Sequence, residues 1–136
     1  MHQRVVEELE RLRKRFPDIK TGEQLNWFLI PSFPLPDGRF EQTETPVVVV
    51  IPPGYPNTGP DNFFVRQDLR LKGGGAPAAF NPNSNSSSGP VPIEGTWGWF
   101  SWHPQAWRPS ANAEQGDNLE TYLRGVSMCL RGEEAP

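Results

Sequence analysis

The sequence is poor in the groups that most often carry chemistry. It has one cysteine, Cys129, and two histidines, His2 and His103, in 136 residues. A lone cysteine excludes an intrachain disulfide and a thiolate metal cluster, and no ligand spacing links Cys129 to either histidine, so no metal site is expected. Apolar residues make up only 35% of the chain. The longest apolar run, Val47–Ile51, is far short of the roughly 20 residues that span a bilayer as a helix, so no membrane contact is expected. The formal charge is −3, which gives no support to nucleic-acid binding, whose signature is concentrated lysine and arginine. The N-terminal apolar residues alternate with charges, so no secretory leader is read there and a reducing, cytoplasmic setting is expected. No cofactor is expected.

What is present is proline and glycine, 16 and 13 residues, set between compact apolar blocks. The size suits one domain over residues 1–136, with long loops around a modest core. Val5, Leu9, Leu12 and Phe16 recur at helical spacing, and Glu7–Arg11 and Glu10–Lys14 are four-apart pairs. They predict an amphipathic helix over about residues 3–16, ended by Pro17. Arg11, Arg13, Lys14 and Arg15 crowd its C-terminal end. That crowding suits either a solvated face with good dipole placement or a docking face for a partner protein.

Leu25–Ile30 and the β-branched Val47–Ile51 read as strands, with Pro36-Asp37-Gly38 as a turn between them. Phe63–Arg66 reads as a third. PPGYPNTGPD, residues 52–61, is a stiff connection with four prolines, in which Tyr55 is expected to pack on proline rings or the sheet edge. Gly73–Pro90 carries no charge and reads as an exposed, flexible loop anchored by Phe80. Asp117 is a candidate cap or first-turn acid for a C-terminal helix whose apolar stripe is Leu119, Tyr122, Leu123, Val126, Cys129 and Leu130. Helix, strands, loops and helix without regular alternation predict an α+β domain, with helices packed on an antiparallel sheet.

The densest segment is WGWFSWHPQAWRP, residues 97–109, which holds four of the five tryptophans. Read as extended, it puts Trp97, Trp99, Ser101 and His103 on one face and Gly98, Phe100 and Trp102 on the other. The tryptophans suit core and lid positions in a domain short of aliphatics, or an exposed platform for a sugar, a base or a peptide. No aspartate or glutamate stands between Gly95 and Ala113; the segment itself offers a ligand only Gln105 and Arg108 beside its aromatics. His103 suits a general base, with Ser101 on the same face, or a buried, hydrogen-bonded ring. Cys129, on an apolar stripe, reads as a small core residue rather than a reactive thiol.

Two stretches together resemble a known family. PPGYPNTGPDNFFV (residues 52–65), and WGWFSWHPQAWRP followed by DNLETYL (residues 117–123), are similar to prokaryotic E2 family E of the ubiquitin-conjugating superfamily. The matching positions are Pro53, Gly54, Tyr55, Pro56, Pro60 and Asp61, then Trp97, Ser101, His103, Trp107, Arg108, Pro109, Asp117 and Leu119. The resemblance covers roughly residues 25–131. It implies the UBC-like fold: an N-terminal helix, a four-stranded antiparallel meander, a long active-site region and a C-terminal helix.

Typical E2 proteins carry HPN, then a cysteine that holds ubiquitin as a thioester, then W-x-P. Here His103-Pro104-Gln105 stands later than that HPN, and Trp99, Phe100 and Ser101 occupy the region where the cysteine belongs. The resemblance therefore implies an E2-like component of a bacterial ubiquitin-like conjugation pathway, without the usual cysteine and acting through protein binding. Its implied partners are an E1-like activating enzyme and a ubiquitin-like protein. Arg11, Lys14 and Arg15 correspond to the helix that meets the activating enzyme, and Trp99, Trp102, Trp107 and Arg108 are further candidates for partner contact. Two alternatives stay open: an acyl carrier or transferase using Ser101 and His103, and a tryptophan-lined module for sugars or peptides.

Overall fold

A computed structural model describes residues 2–104 and 106–133. The elements are α1 (His2–Arg15), β1 (Lys20–Thr21), β2 (Trp27–Pro34), β3 (Glu44–Val50), β4 (Phe63–Arg66), β5 (Phe80–Asn81), β6 (Asn85–Ser86), β7 (Gly89–Pro90), β8 (Trp97–Phe100) and α2 (Leu119–Leu130). No helix among the described residues is long and apolar enough to cross a membrane.

In α1 the spacing of Val5, Leu9 and Leu12 turns all three into the core. Its ion pair is Arg4–Glu8 at 2.6 Å. Arg11 turns away from Glu7 to the Ala113 carbonyl (2.8 Å) and Glu114 (3.5 Å). β2 starts two residues later than expected, because Leu25 takes a left-handed φ of 54° while its N–H closes a turn onto Gly22 O. The strand then runs on to Pro34 through a register shift between Ile30 and Phe33. Such an irregularity is where a strand tolerates a proline such as Pro31, which has no N–H for the ladder.

The main sheet has the order β1-β2-β3-β4-β8-β5, with every pairing antiparallel. The expected four-stranded meander is thus enlarged to six strands. The Gly73–Pro90 segment supplies β5, which pairs with the outer edge of β8 and covers it. Phe80 anchors this pairing: its ring lies over Gly98, where any Cβ would sit 2.6 Å away, and it packs on Phe100 at 5.4 Å. The same segment forms the β6–β7 hairpin.

The core sits on one face of the sheet. Phe28, Ile30, Val47, Val49, Phe63, Val65 and Phe100 pack there with the apolar stripes of α1 and α2. Val48, Phe64, Trp97 and Trp99 form a second cluster on the opposite face. The period-2 reading of the tryptophan segment thus holds through β8. The outer cluster is covered by residues 83–94: Val91 and Ile93 pack on it, Trp97 Nε1 donates to Glu94 O (3.0 Å) and Trp99 Nε1 to Asn83 Oδ1 (3.3 Å).

α2 is capped by Asn118, not by Asp117. Asn118 Oδ1 accepts from Thr121 N and Thr121 Oγ1 accepts from Asn118 N, both at 2.9 Å, a reciprocal capping box. Asp117 instead accepts from Arg108 N (2.7 Å) and Thr121 Oγ1 (3.1 Å).

Candidate functional site

The site is assembled by one pairing. β4 and β8 are antiparallel, with Phe63 opposite Phe100. Residues just before β4 must therefore meet residues just after β8, which brings Asp61 and Asn62 beside 101–103.

Asn62 is the organiser. It adopts a left-handed φ of 60°, a conformation that asparagine tolerates better than most residues. Its N–H donates to Trp102 O (2.6 Å) and its Oδ1 accepts from Trp102 N (3.1 Å). Its carbonyl accepts from Tyr122 Oη (2.7 Å), and its Nδ2 reaches Ser87 Oγ (3.0 Å) and Ser88 Oγ (3.1 Å) at the tip of the β6–β7 hairpin. Burial, and then the Asp61 carboxylate, push the Tyr122 phenol well above its ordinary pKa, so it stays a donor.

With Asn62 and Trp102 fixed, their neighbours come together. His103 Nδ1 lies 3.1 Å from Asp61 Oδ1, and Ser88 Oγ donates to Asp61 Oδ2 at 3.2 Å. His103 is not a buried ring: its side chain is 66% exposed and that of Asp61 50%. The acid absent from the tryptophan segment comes from the PPGYPNTGPD connection. Ser101 is exposed too, and its N–H donates to Ala79 O (3.0 Å). Gln105 lies outside the described residues.

The connection itself is held by Trp107. The indole Nε1 donates to Pro56 O at 2.7 Å, its ring sits 6.1 Å from that of Tyr55, and it covers Gly59 so closely that a Cβ there would meet the ring at 2.5 Å. Tyr55 is buried, and its hydroxyl donates to Glu8 Oε1 at 2.6 Å. Glu8 is 2% exposed; the same Oε1 accepts from Leu119 N (2.7 Å), and Oε2 from Arg4 Nε (2.6 Å). One buried carboxylate thus joins α1, the proline-rich connection and the start of α2. Burial, then the bond to Glu8, hold the Tyr55 phenol protonated. Between residues 102–107 and α2 lies an apolar cleft of about 400 Å³, lined by Trp102, Pro104, Trp107, Tyr122, Gly125 and Met128. Trp102 Nε1 is buried beside it, with no acceptor among the described residues.

The two sequence signatures, 52–65 and 97–123, are therefore one interlocked structure. The family model for Prokaryotic E2 family E matches residues 5–133. The chain belongs to this family. No match was found among curated proteins or solved structures.

The family E chain has its single thiol in the wrong place for the usual thioester chemistry. Cys129 is on α2, packed against the core, and burial pushes its pKa up to about 12. It does not stand in the 97–109 segment. Among the residues expected to contact partners, Trp99 and Trp102 are buried, at 9% and 8% exposure. They fill the two faces of β8 and its extension, which corrects the expectation that they form a contact surface. Trp107 is half-buried, and Arg108, Lys14 and Arg15 are exposed. Arg15 also lies over the Phe16 ring at 5.0 Å. The structure brings His103 to Asp61, with Ser88 bonded to Asp61 and Asn62 to Trp102; the sequence had assigned none of these three partners to the site by role. The basic end of α1 is a separate surface, against the loop at Asn112–Glu114.

Proposed function

We propose that this chain is an E2-like component of a prokaryotic ubiquitin-like conjugation pathway that acts by holding its protein partners and does not carry the ubiquitin-like protein as a thioester. The observation that carries this is the position and state of Cys129. A thiol on the core side of α2 with a pKa near 12 is protonated at neutral pH, and a thiol rather than a thiolate is a poor nucleophile. The partners in this reading are an E1-like activating enzyme, met by Lys14 and Arg15 at the end of α1, and a ubiquitin-like protein, met near Trp107 and Arg108. The exposure of Lys14, Arg15 and Arg108 supports that assignment; Trp107 is half-buried.

The test pairs the chain with an E1-like activating enzyme, a ubiquitin-like protein and ATP. The chain is expected to co-elute with them and to form no thiol-sensitive adduct while the activating enzyme is visibly charged. An adduct lost on Cys129→Ser refutes the proposal. A thiol-resistant, base-labile adduct lost on Ser101→Ala replaces it with an ester carrier. Neighbouring genes for polysaccharide processing, with no activating enzyme among them, speak for the sugar or peptide module instead.

A further inference from the structure

The cleft between residues 102–107 and α2 has one polar group that the described chain does not use. Its volume of about 400 Å³ lies within the range of small-molecule sites. The other polar side chains along it are engaged. Trp107 Nε1 donates to Pro56 O, Tyr122 Oη to Asn62 O and Thr121 Oγ1 to Asp117 Oδ1. Asp117 Oδ2 accepts from Arg108 N, and Arg124 pairs with Glu120 at 3.2 Å. Trp102 differs. It is 8% exposed, and its Nε1 has no acceptor among the described residues. An indole N–H can only donate, so its lost hydration is left uncompensated.

That N–H is turned toward the α2 wall of the cleft. Any Cβ at position 125 would stand 3.2 Å from Nε1 and 3.4 Å from Cζ2. Gly125 therefore keeps the helix from closing over the indole edge with a side chain, at a position where glycine is a worse helix former than alanine. The neighbouring indoles show what acceptor is missing. Trp97 Nε1 donates to Glu94 O, Trp99 Nε1 to Asn83 Oδ1 and Trp107 Nε1 to Pro56 O, in each case an amide oxygen.

We propose that this cleft binds a small, neutral, apolar molecule carrying an amide-type carbonyl, whose oxygen accepts from Trp102 Nε1. The apolar body of the ligand lies against Pro104, Trp107 and Met128, which line the cleft. The charges at the rim, Asp117 and Arg124, already have partners within the chain, so a charged ligand would give up its hydration for no matching ion. Nε1 is covered in the free chain, and binding includes a small parting of Trp102 from Gly125. The site does not depend on the pathway reading, since the chain alone is sufficient to bind.

The test is an NMR titration of the isotope-labelled full chain with N,N-dimethylbenzamide, an amide with an acceptor and no donor. Benzoate, of similar shape but charged, is the comparison. The amide is expected to move the Trp102 indole proton downfield together with the Gly125 amide and the Met128 methyl, saturating at or below about 10 mM, as befits so small a ligand. Benzoate should bind more weakly. Trp102→Phe keeps an aromatic ring and removes the donor, and should weaken amide binding about 10-fold. Gly125→Ala sets a methyl against Nε1 and should weaken it at least as much. It leaves every core side chain in place, so it decides the matter if Trp102→Phe does not fold.

The proposal is overturned if no saturable shift appears, or if the cleft resonances move while the Trp102 indole proton does not. Benzoate binding as tightly as the amide overturns it too, as does a folded Gly125→Ala chain that binds the amide like the wild type.

Discussion

Asn62 shows how much one residue holds. Five hydrogen bonds converge on its backbone and side chain, and its φ of 60° penalises most replacements. Asn62→Ala leaves Trp102 N without its acceptor inside the fold, a loss of about 1–3 kcal/mol, and adds the left-handed strain of a Cβ without a compensating bond. Urea unfolding should show the midpoint falling with an unchanged slope. An unaltered midpoint would show that the site is held by the sheet pairing alone. Asn62→Gly relieves the backbone strain but not the lost bonds, so it should recover only part of the difference.

At the scale of elements, the proline-rich connection and the W-R-P segment depend on each other. Gly59 is where they touch most closely, since a Cβ there meets the Trp107 ring at 2.5 Å. Gly59→Ala should lift Trp107 off Tyr55 and Pro56 at a cost of about 1–3 kcal/mol, typical of overpacking. A red shift of tryptophan emission reads the displacement. A spectrum identical to wild type would mean that the backbone yields instead of the ring.

The elements also differ in how well the sequence announced them. Apolar spacing in Val5, Leu9, Leu12 and in Leu119, Tyr122, Leu123, Val126 made both helices readable, and β-branched Val47–Val50 made β3 readable. β5 was hidden because Phe80–Asn81 has no period of its own; it becomes a strand only by filling the edge of β8. The His103–Asp61 pair was hidden for a related reason. Its members lie 42 positions apart, and only the antiparallel register of Phe63 with Phe100 brings them together. The motifs on both sides were visible in the sequence. Their juxtaposition needed the pairing of β4 with β8.

For the molecule as a whole, two buried phenols and one half-buried thiol set its response to alkali. Cys129, Tyr55 and Tyr122 all have raised pKa values in the folded chain, against ordinary values of 9.0 for the thiol and 10.0 for the phenols, with burial the leading cause for each. The folded state therefore keeps protons that the unfolded chain releases. Their contribution to stability is complete below pH 9 and declines as pH rises, through about 12 for Cys129. Urea midpoints measured from about pH 8 to about pH 11 should hold steady and then fall. Cys129→Ala should delay the onset toward the tyrosine range. A midpoint that is flat throughout would show that these groups titrate as they do in the unfolded chain.

The buried carboxylate of Glu8 gives α1 a second occupation, as an external cap on another helix. Leu119 N–H, at the open end of α2, has its acceptor in α1 and not in its own neighbourhood. The two helices therefore cannot fray independently: peeling α1 from the sheet uncovers that amide and frees the Tyr55 hydroxyl in the same event. Hydrogen exchange at the single amide of Leu119 thus reports the attachment of α1, at a position 111 residues from the side chain that protects it.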